Sequence, residues 1–177
     1  MPDYAVTAIG RDRPGIVAAI SRALLELEGN IEDSQMSILR GHFAVMLIVR
    51  VPEGPTDAEL SARLGAVRDE LGLEALTYEP VDELEMSRPH PSHVVSVYGA
   101  DHPGIVAGMS AVLAAQDVNI TDLETRLSGS VDAPLYVMLM EVALGDVAPE
   151  QVRAALEEAG AEAQVEVSIR ELGAEAL

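Results

Sequence analysis

Hydrophobic and polar positions change period several times along the chain, and they do so in the same order in both halves. Residues 4–9 are a short, partly β-branched run that stops at Gly10, which predicts a strand. Ile16, Ile20, Leu24 and Leu27 then recur at spacings of 4, 4 and 3, one face of a helix. Pro14 stands where that helix is expected to begin, since its missing N–H is one the first turn does not use. A second strand is expected over 31–39, a short turn at Arg40-Gly41-His42, and a third strand over the very apolar run 43–51. Pro55-Thr56-Asp57 signals a second helix over 57–71, with Leu60, Leu64, Val67 and Leu71 on one face. A last strand is expected over 74–80.

The second half reads the same way. A strand over 93–98 ends at Gly99, and Ile105, Met109 and Leu113 mark a helix face. A strand over 120–127, a longer turn over 128–134 and an apolar strand over 135–144 follow. Asp146 to Glu150 then starts a helix over 149–159, and a strand over 164–170 closes the half. Each half is therefore βαββαβ. The fold class is α+β, two ferredoxin-like domains, each an antiparallel four-stranded sheet with two helices on one face. Along 31–38 neither alternating set is wholly apolar, so the uncovered sheet face and the edge strands must meet water, the other unit or another chain. Met36, Met46, Met109, Met138 and Met140 fall on strand or helix positions and are expected in the core.

The two halves repeat in register. Gly10-Arg11-Asp12-Arg13-Pro14-Gly15-Ile16-Val17-Ala18 returns as Gly99-Ala100-Asp101-His102-Pro103-Gly104-Ile105-Val106-Ala107. Asp12 and Asp101, Asn30 and Asn119, and Asp33 and Asp122 are each 89 residues apart. Such a period belongs to a duplicated small domain rather than a solenoid. Met46 and Met138 are 92 apart, so the second hairpin has gained three residues, an insertion expected in its loop. The domains are expected at 1–84 and 93–177, joined by a stiff linker over 85–92 that carries Pro89 and Pro91. Residues 173–177 are expected to fray.

Charge narrows the function. The chain has 30 acidic residues against 11 basic ones, a net charge of −19, and every basic residue is Arg. Both halves share the imbalance: 16 acidic residues and 7 Arg lie up to Met86, with 14 and 4 after it. Without Lys there is no Schiff-base or P-loop lysine chemistry, and a nucleic-acid backbone would be repelled. Cysteine is absent, which removes disulfides and thiol nucleophiles. No apolar run approaches the roughly 18 residues of a membrane span. The N-terminus has no basic leader, so a cytoplasmic protein is expected. His90 and His93 lack the carboxylates of a metal site, and Ser92 and Ser96 near His93 do not make a triad. The expectation is no enzyme, no metal and no cofactor.

The repeated stretch, Asp-x-Pro-Gly-Ile-Val opening a helix and Asn-Ile opening the next strand, resembles the ACT domain, a regulatory module that binds small ligands, often amino acids. Ala8 to Val17, followed by Asn30-Ile31-Glu32-Asp33-Ser34, is similar to the glycine cleavage system transcriptional repressor family, free-standing tandem ACT pairs without a catalytic domain. In copy two, Asn119-Ile120-Thr121-Asp122-Leu123 fits less closely. The resemblance implies ligands held at interfaces by this loop and by the Asn. It implies glycine as the leading ligand, a transcription activator as the leading protein partner, and a homodimer. In one dehydrogenase, serine-sensing ACT domains carry His at the positions of Gly10 and Gly99, and Asn at those of Asp12 and Asp101; serine is therefore not implied.

The chemistry of the stretch is consistent with this. Free amides at a helix start attract a carboxylate, and glycine lets it approach. Asp12 or Asp101 offers negative charge to an ammonium, and Asn30 or Asn119 an amide from the far end of the helix. The candidate ligand-binding residues are Asp12, Arg13, Gly15, Ile16, Asn30 and Ile31 in copy one. In copy two they are Asp101, His102, Gly104, Ile105, Asn119 and Ile120. Structural explanations compete: an Asx-turn or helix cap for the Asp pair, a left-handed helix terminus for the Asn pair, a solvated loop position for Arg13 and His102. Two other functions fit the same residues, a regulatory subunit acting in trans on a metabolic enzyme and an assembly module that binds nothing.

Overall fold

The first unit runs β1 (Asp3–Arg11), α1 (Ile16–Glu26), β2 (Asn30–Leu39), β3 (His42–Arg50), α2 (Asp57–Leu71) and β4 (Ala75–Val81). The second repeats the order as β5 (His93–Gly99), α3 (Ile105–Ala115), β6 (Asn119–Ser130), β7 (Ala133–Ala143), α4 (Pro149–Glu162) and β8 (Val165–Glu171). The computed structural model describes residues 2–52, 56–81, 90–130 and 133–173. The chain divides into two units, Met1–Met86 and Ser87–Leu177. Residues 85–89 of the expected linker and 174–177 of the expected frayed end lie outside the described residues.

Each unit has one four-stranded sheet, ordered β2-β3-β1-β4 and β6-β7-β5-β8, with all pairs antiparallel. This is the ferredoxin-like order that the alternation of periods predicts. In β3, Phe43, Val45, Leu47 and Val49 are buried and their alternate neighbours face away, because side chains on a strand alternate between faces. Against them pack Ile16, Ile20 and Leu24 of α1 and Leu60, Leu64 and Val67 of α2. The second core is built alike, from Met138, Met140 and Val142 with Met109, Leu113, Val152 and Leu156.

Local chemistry sets the connections. Arg40 and Gly41 both have positive φ, 49° and 81°, the two-residue turn whose twist suits a hairpin. Thr56 caps α2 through a reciprocal box with Glu59, as the sequence signal implies. β2 and β6 each carry a bulge, at Glu32 and Thr121. It places Ile31 and Ile120 beside the core, then turns Asp33 and Asp122 to the other face in register with Ile48 and Glu141. That shift of phase is why the strand read as two-sided.

Four expectations change. The first helix starts at Ile16, with Gly15 as its N-cap, so Pro14 lies before the helix and not at its first position. The three inserted residues of the second hairpin do not form a longer loop; β6 and β7 continue to Ser130 and Ala133 and lengthen the paired ribbon. The left-handed residues after α1 and α3 are Glu28 and Asp117, not Asn30 and Asn119, which already begin strands. Met109, Met138 and Met140 are core, but Met36 and Met46 are 47% and 53% exposed. Met46 sits on the face away from the helices, opposite Thr7 and Gln35. Met36 is on the helix side, in register with Val45, but on an edge strand that the helices leave uncovered. Among the described residues, no helix is long and apolar enough to cross a membrane.

Candidate functional site

In each unit the repeated stretch forms the connection from the first strand to the first helix. Gly15 and Gly104 are the N-caps of α1 and α3, with φ of 99° and 102°, a left-handed conformation that disfavours any side chain. No side chain caps either helix. The first intrahelical bonds are Ala19 N–H to Gly15 O and Gly108 N–H to Gly104 O. The amides of Ile16, Val17 and Ala18, and of Ile105, Val106 and Ala107, thus have no acceptor within their helix. A Cβ placed on Gly15 or Gly104 would meet nothing within 4 Å, so the space beside each cap glycine is open. Here the glycine serves the backbone angle and leaves a positively polarised helix end without a side-chain cap.

Asp12 and Asp101 are exposed and three residues ahead of the caps, so neither caps its helix. The Asp12 amide donates to Gly41 O at 2.9 Å, which pins the loop to the hairpin turn. Among the described residues its carboxylate has no hydrogen bond or ion pair. Asp101 acts electrostatically on two neighbours: burial first, then this carboxylate, pushes the Tyr136 phenol upward, and Asp101 also helps to hold His102 protonated. Ile16 and Ile105 are each 2% exposed as whole residues and belong to the core, so their side chains make no ligand contact.

Arg13 and His102 are not simply solvated. Arg13 Nη2 donates to Glu70 O, in the last turn of α2, at 3.2 Å. His102 Nε2 lies 2.7 Å from Ala163 O, the C-cap of α4, and Nδ1 lies 3.0 Å from Pro103 O. Both side chains thus tie the repeated loop to the carboxyl end of their own unit's second helix. Beside each tie the backbones press together. A Cβ on Gly10 would come within 3.2 Å of Leu73 Cα, and one on Gly99 within 3.2 Å of Val165 Cα. These glycines are there for close approach, and no larger side chain fits where the serine-sensing domains carry His.

Asn30 and Asn119 do not join this group within a unit. Both are exposed, at the opposite ends of α1 and α3; an 11-residue helix separates its ends by about 16 Å. Asn30 is in register with Arg50, which bonds Asp3 Oδ1 at 3.0 Å and Glu32 Oε1 at 2.9 Å. Ile31 and Ile120 are half-buried against the cores. Among the described residues no cluster of His, Asp and Glu could hold a metal. The His93 ring contacts Ser92 Oγ, which also accepts from Leu144 N–H, so this pair secures the start of β5.

The model of the ACT domain matches residues 4–77 and 93–170. A UPF0237 protein of Methanopyrus kandleri is 42% identical over 72 residues, 40% of this chain and 80% of that protein. The glycine cleavage system transcriptional repressor of Escherichia coli is 31% identical over 126 residues, 68% of this chain and 63% of that protein. That stretch is longer than either unit. An unknown protein from Galdieria sulphuraria superimposes with a TM-score of 0.80 at 27% identity, covering 97% of this chain and 99% of that one.

Proposed function

This chain belongs to the ACT-domain family of non-catalytic regulatory modules, and from that premise we propose that it senses a free amino acid at its two strand-to-helix loops and passes the state on to a protein partner. The observation that carries the reading is the loop itself, built twice: an uncapped helix start, open space above a left-handed glycine, and an exposed carboxylate three residues ahead. A zwitterion matches that pattern. Its carboxylate suits the amides at Gly15-Ile16 and Gly104-Ile105, and its ammonium suits Asp12 or Asp101. Asn30 and Asn119 lie too far along the helix to reach the same ligand from within a unit, so their part requires a neighbouring unit or copy.

Glycine is the ligand we favour, because the similarity to the Escherichia coli repressor runs past one unit. A transcription activator is the partner we favour on the same ground, acting in the cytoplasm, with domains at 1–84 and 93–177. Titration calorimetry of the full chain with glycine, serine and larger amino acids is the test. One of them should bind, and Asp12→Ala should weaken binding about tenfold or more, since a hydrogen bond to a charged group contributes roughly 1.5–3 kcal/mol. A chain that binds none of them, or binds equally well after both Asp residues are removed, refutes the reading.

A further inference from the structure

Positions 13 and 102 are equivalent in the repeat, and their side chains do the same thing with different chemistry. Arg13 reaches Glu70 O and His102 reaches Ala163 O, in both cases a carbonyl at the negative end of a helix dipole. We propose that Arg13 and His102 are positioning residues that hold the repeated loop against the second helix, and that in the second unit the two ring contacts, to Pro103 O and to Ala163 O, hold together only while His102 is protonated.

The geometry distinguishes the two ties. A guanidinium donates at every accessible pH. A neutral imidazole has one N–H, yet both ring nitrogens of His102 face carbonyl oxygens, which can only accept. Only the imidazolium satisfies both. In the neutral ring one lone pair opposes an oxygen at 2.7 Å or 3.0 Å, so one of the two contacts must open. The ionisable groups on the elements around the loop are Tyr136 and Glu141 on β7, Glu150, Arg153, Glu157, Glu158 and Glu162 on α4, and Glu166, Arg170 and Glu171 on β8. The charge that acts on the ring is that of Asp101, on the same loop, and it favours the protonated form. The ring's pKa is raised accordingly, first by the bond to Pro103 O, then by that to Ala163 O, with Asp101 adding to both.

The direction follows from linkage. A group whose folded value lies above its unfolded one stabilises fully below the unfolded value, near 6.5 for histidine. That stabilisation is lost as pH rises through the folded value. The second loop should therefore keep both contacts in mildly acidic solution and lose one of them in alkaline solution, while the Arg13 contact is kept throughout. This rests on the reading of the loop as a receptor only in its consequence, that the two sites differ in their response to pH.

The test needs no ligand and uses the full chain. In a nuclear magnetic resonance titration, the His102 ring should titrate with a midpoint above about 6.5. The amide signals of Gly104, Ile105 and Gln164 should move with the same midpoint, and those of Gly15 and Ile16 should not. His102→Arg should keep the second loop in its low-pH form at every pH, whereas His102→Ala should abolish the low-pH form and the pH response. A ring that titrates at or below the ordinary value, loop amides that ignore it, or an Arg variant that behaves like the Ala variant would each overturn the proposal. Failure to bind any amino acid would count against the receptor alone, and failure of this titration against the tie alone.

Discussion

Two kinds of glycine flank the repeated loop, and they should respond differently to the same substitution. Gly15 and Gly104 adopt left-handed backbone with open space beyond, so adding a methyl group costs only the conformational strain, roughly 1–2 kcal/mol. Gly10 and Gly99 lack that strain, but a Cβ on Gly99 would lie 3.1 Å from Val165 Cβ and 3.2 Å from its Cα. Backbone cannot move aside as a side chain can, so Gly99→Ala should destabilise more than Gly15→Ala. Urea denaturation of both variants checks the order, and an equal loss would remove the distinction. Neither residue's role is legible from its neighbours in sequence. The motif marks Gly15 and Gly104 as special, but the contact that requires Gly99 lies across the sheet end at Val165.

Among the elements, the helical glycines supply a contrast. Gly108 in α3 and Gly65 in α2 have nothing within 4 Å of a built Cβ, so replacing each with Ala should stabilise by about 1 kcal/mol through helix propensity. Gly160 is buried in α4, where a Cβ would sit 2.6 Å from Val167 Cγ2 and 3.1 Å from Val165 O. Gly160→Ala should destabilise despite the same gain in propensity, and thermal unfolding of the three variants would reveal the opposite signs. The cap of α2 supplies a pH effect. Thr56 N–H and its hydroxyl both donate to Glu59 Oε2, at 2.7 Å and 2.9 Å, and the backbone bond is the larger cause of the lowered carboxyl pKa. A lowered folded value means that the stabilisation is present above the unfolded value and lost as pH falls through the folded one. Glu59→Gln should flatten that acid limb, which a pH series of denaturation midpoints would detect.

For the whole molecule, the acidic charge and the uncovered sheet faces lead to two expectations. A net charge of −19 with no Lys opposes binding to a phosphate backbone, so the purified chain should not retain a promoter fragment. Nanomolar, salt-sensitive binding in a gel-shift assay would contradict this. The faces away from the helices carry Ile9, Leu39 and Met46 in one unit and Tyr98, Leu135 and Leu139 in the other, each more than a third exposed. These six large apolar side chains left to water, together with open strand edges, favour a homodimer or larger assembly. Light scattering that finds a monomer at micromolar concentration, with and without amino acid, would rule it out.

The sequence by itself determined the βαββαβ order, the duplication and most of both cores. These depend on the local periods of apolar residues and on turn chemistry such as Arg40-Gly41 and Thr56 with Glu59, which neighbours in the chain decide. It also singled out the Asp-x-Pro-Gly loop, because two copies in register mark one another. Only the tertiary structure decided which residues that loop touches. Arg13 and His102 bond to backbone carbonyls 57 and 61 positions away, and a carbonyl acceptor has no residue type for a motif to display. The same holds for Met36 and Met46. Their apolar character placed them in strands, but strand order and the helices' reach left one on an edge and the other on the bare face. The bulges at Glu32 and Thr121, which shift the phase of β2 and β6, are likewise set by pairing with β3 and β7. Periodicity is local, whereas burial depends on what another part of the chain covers.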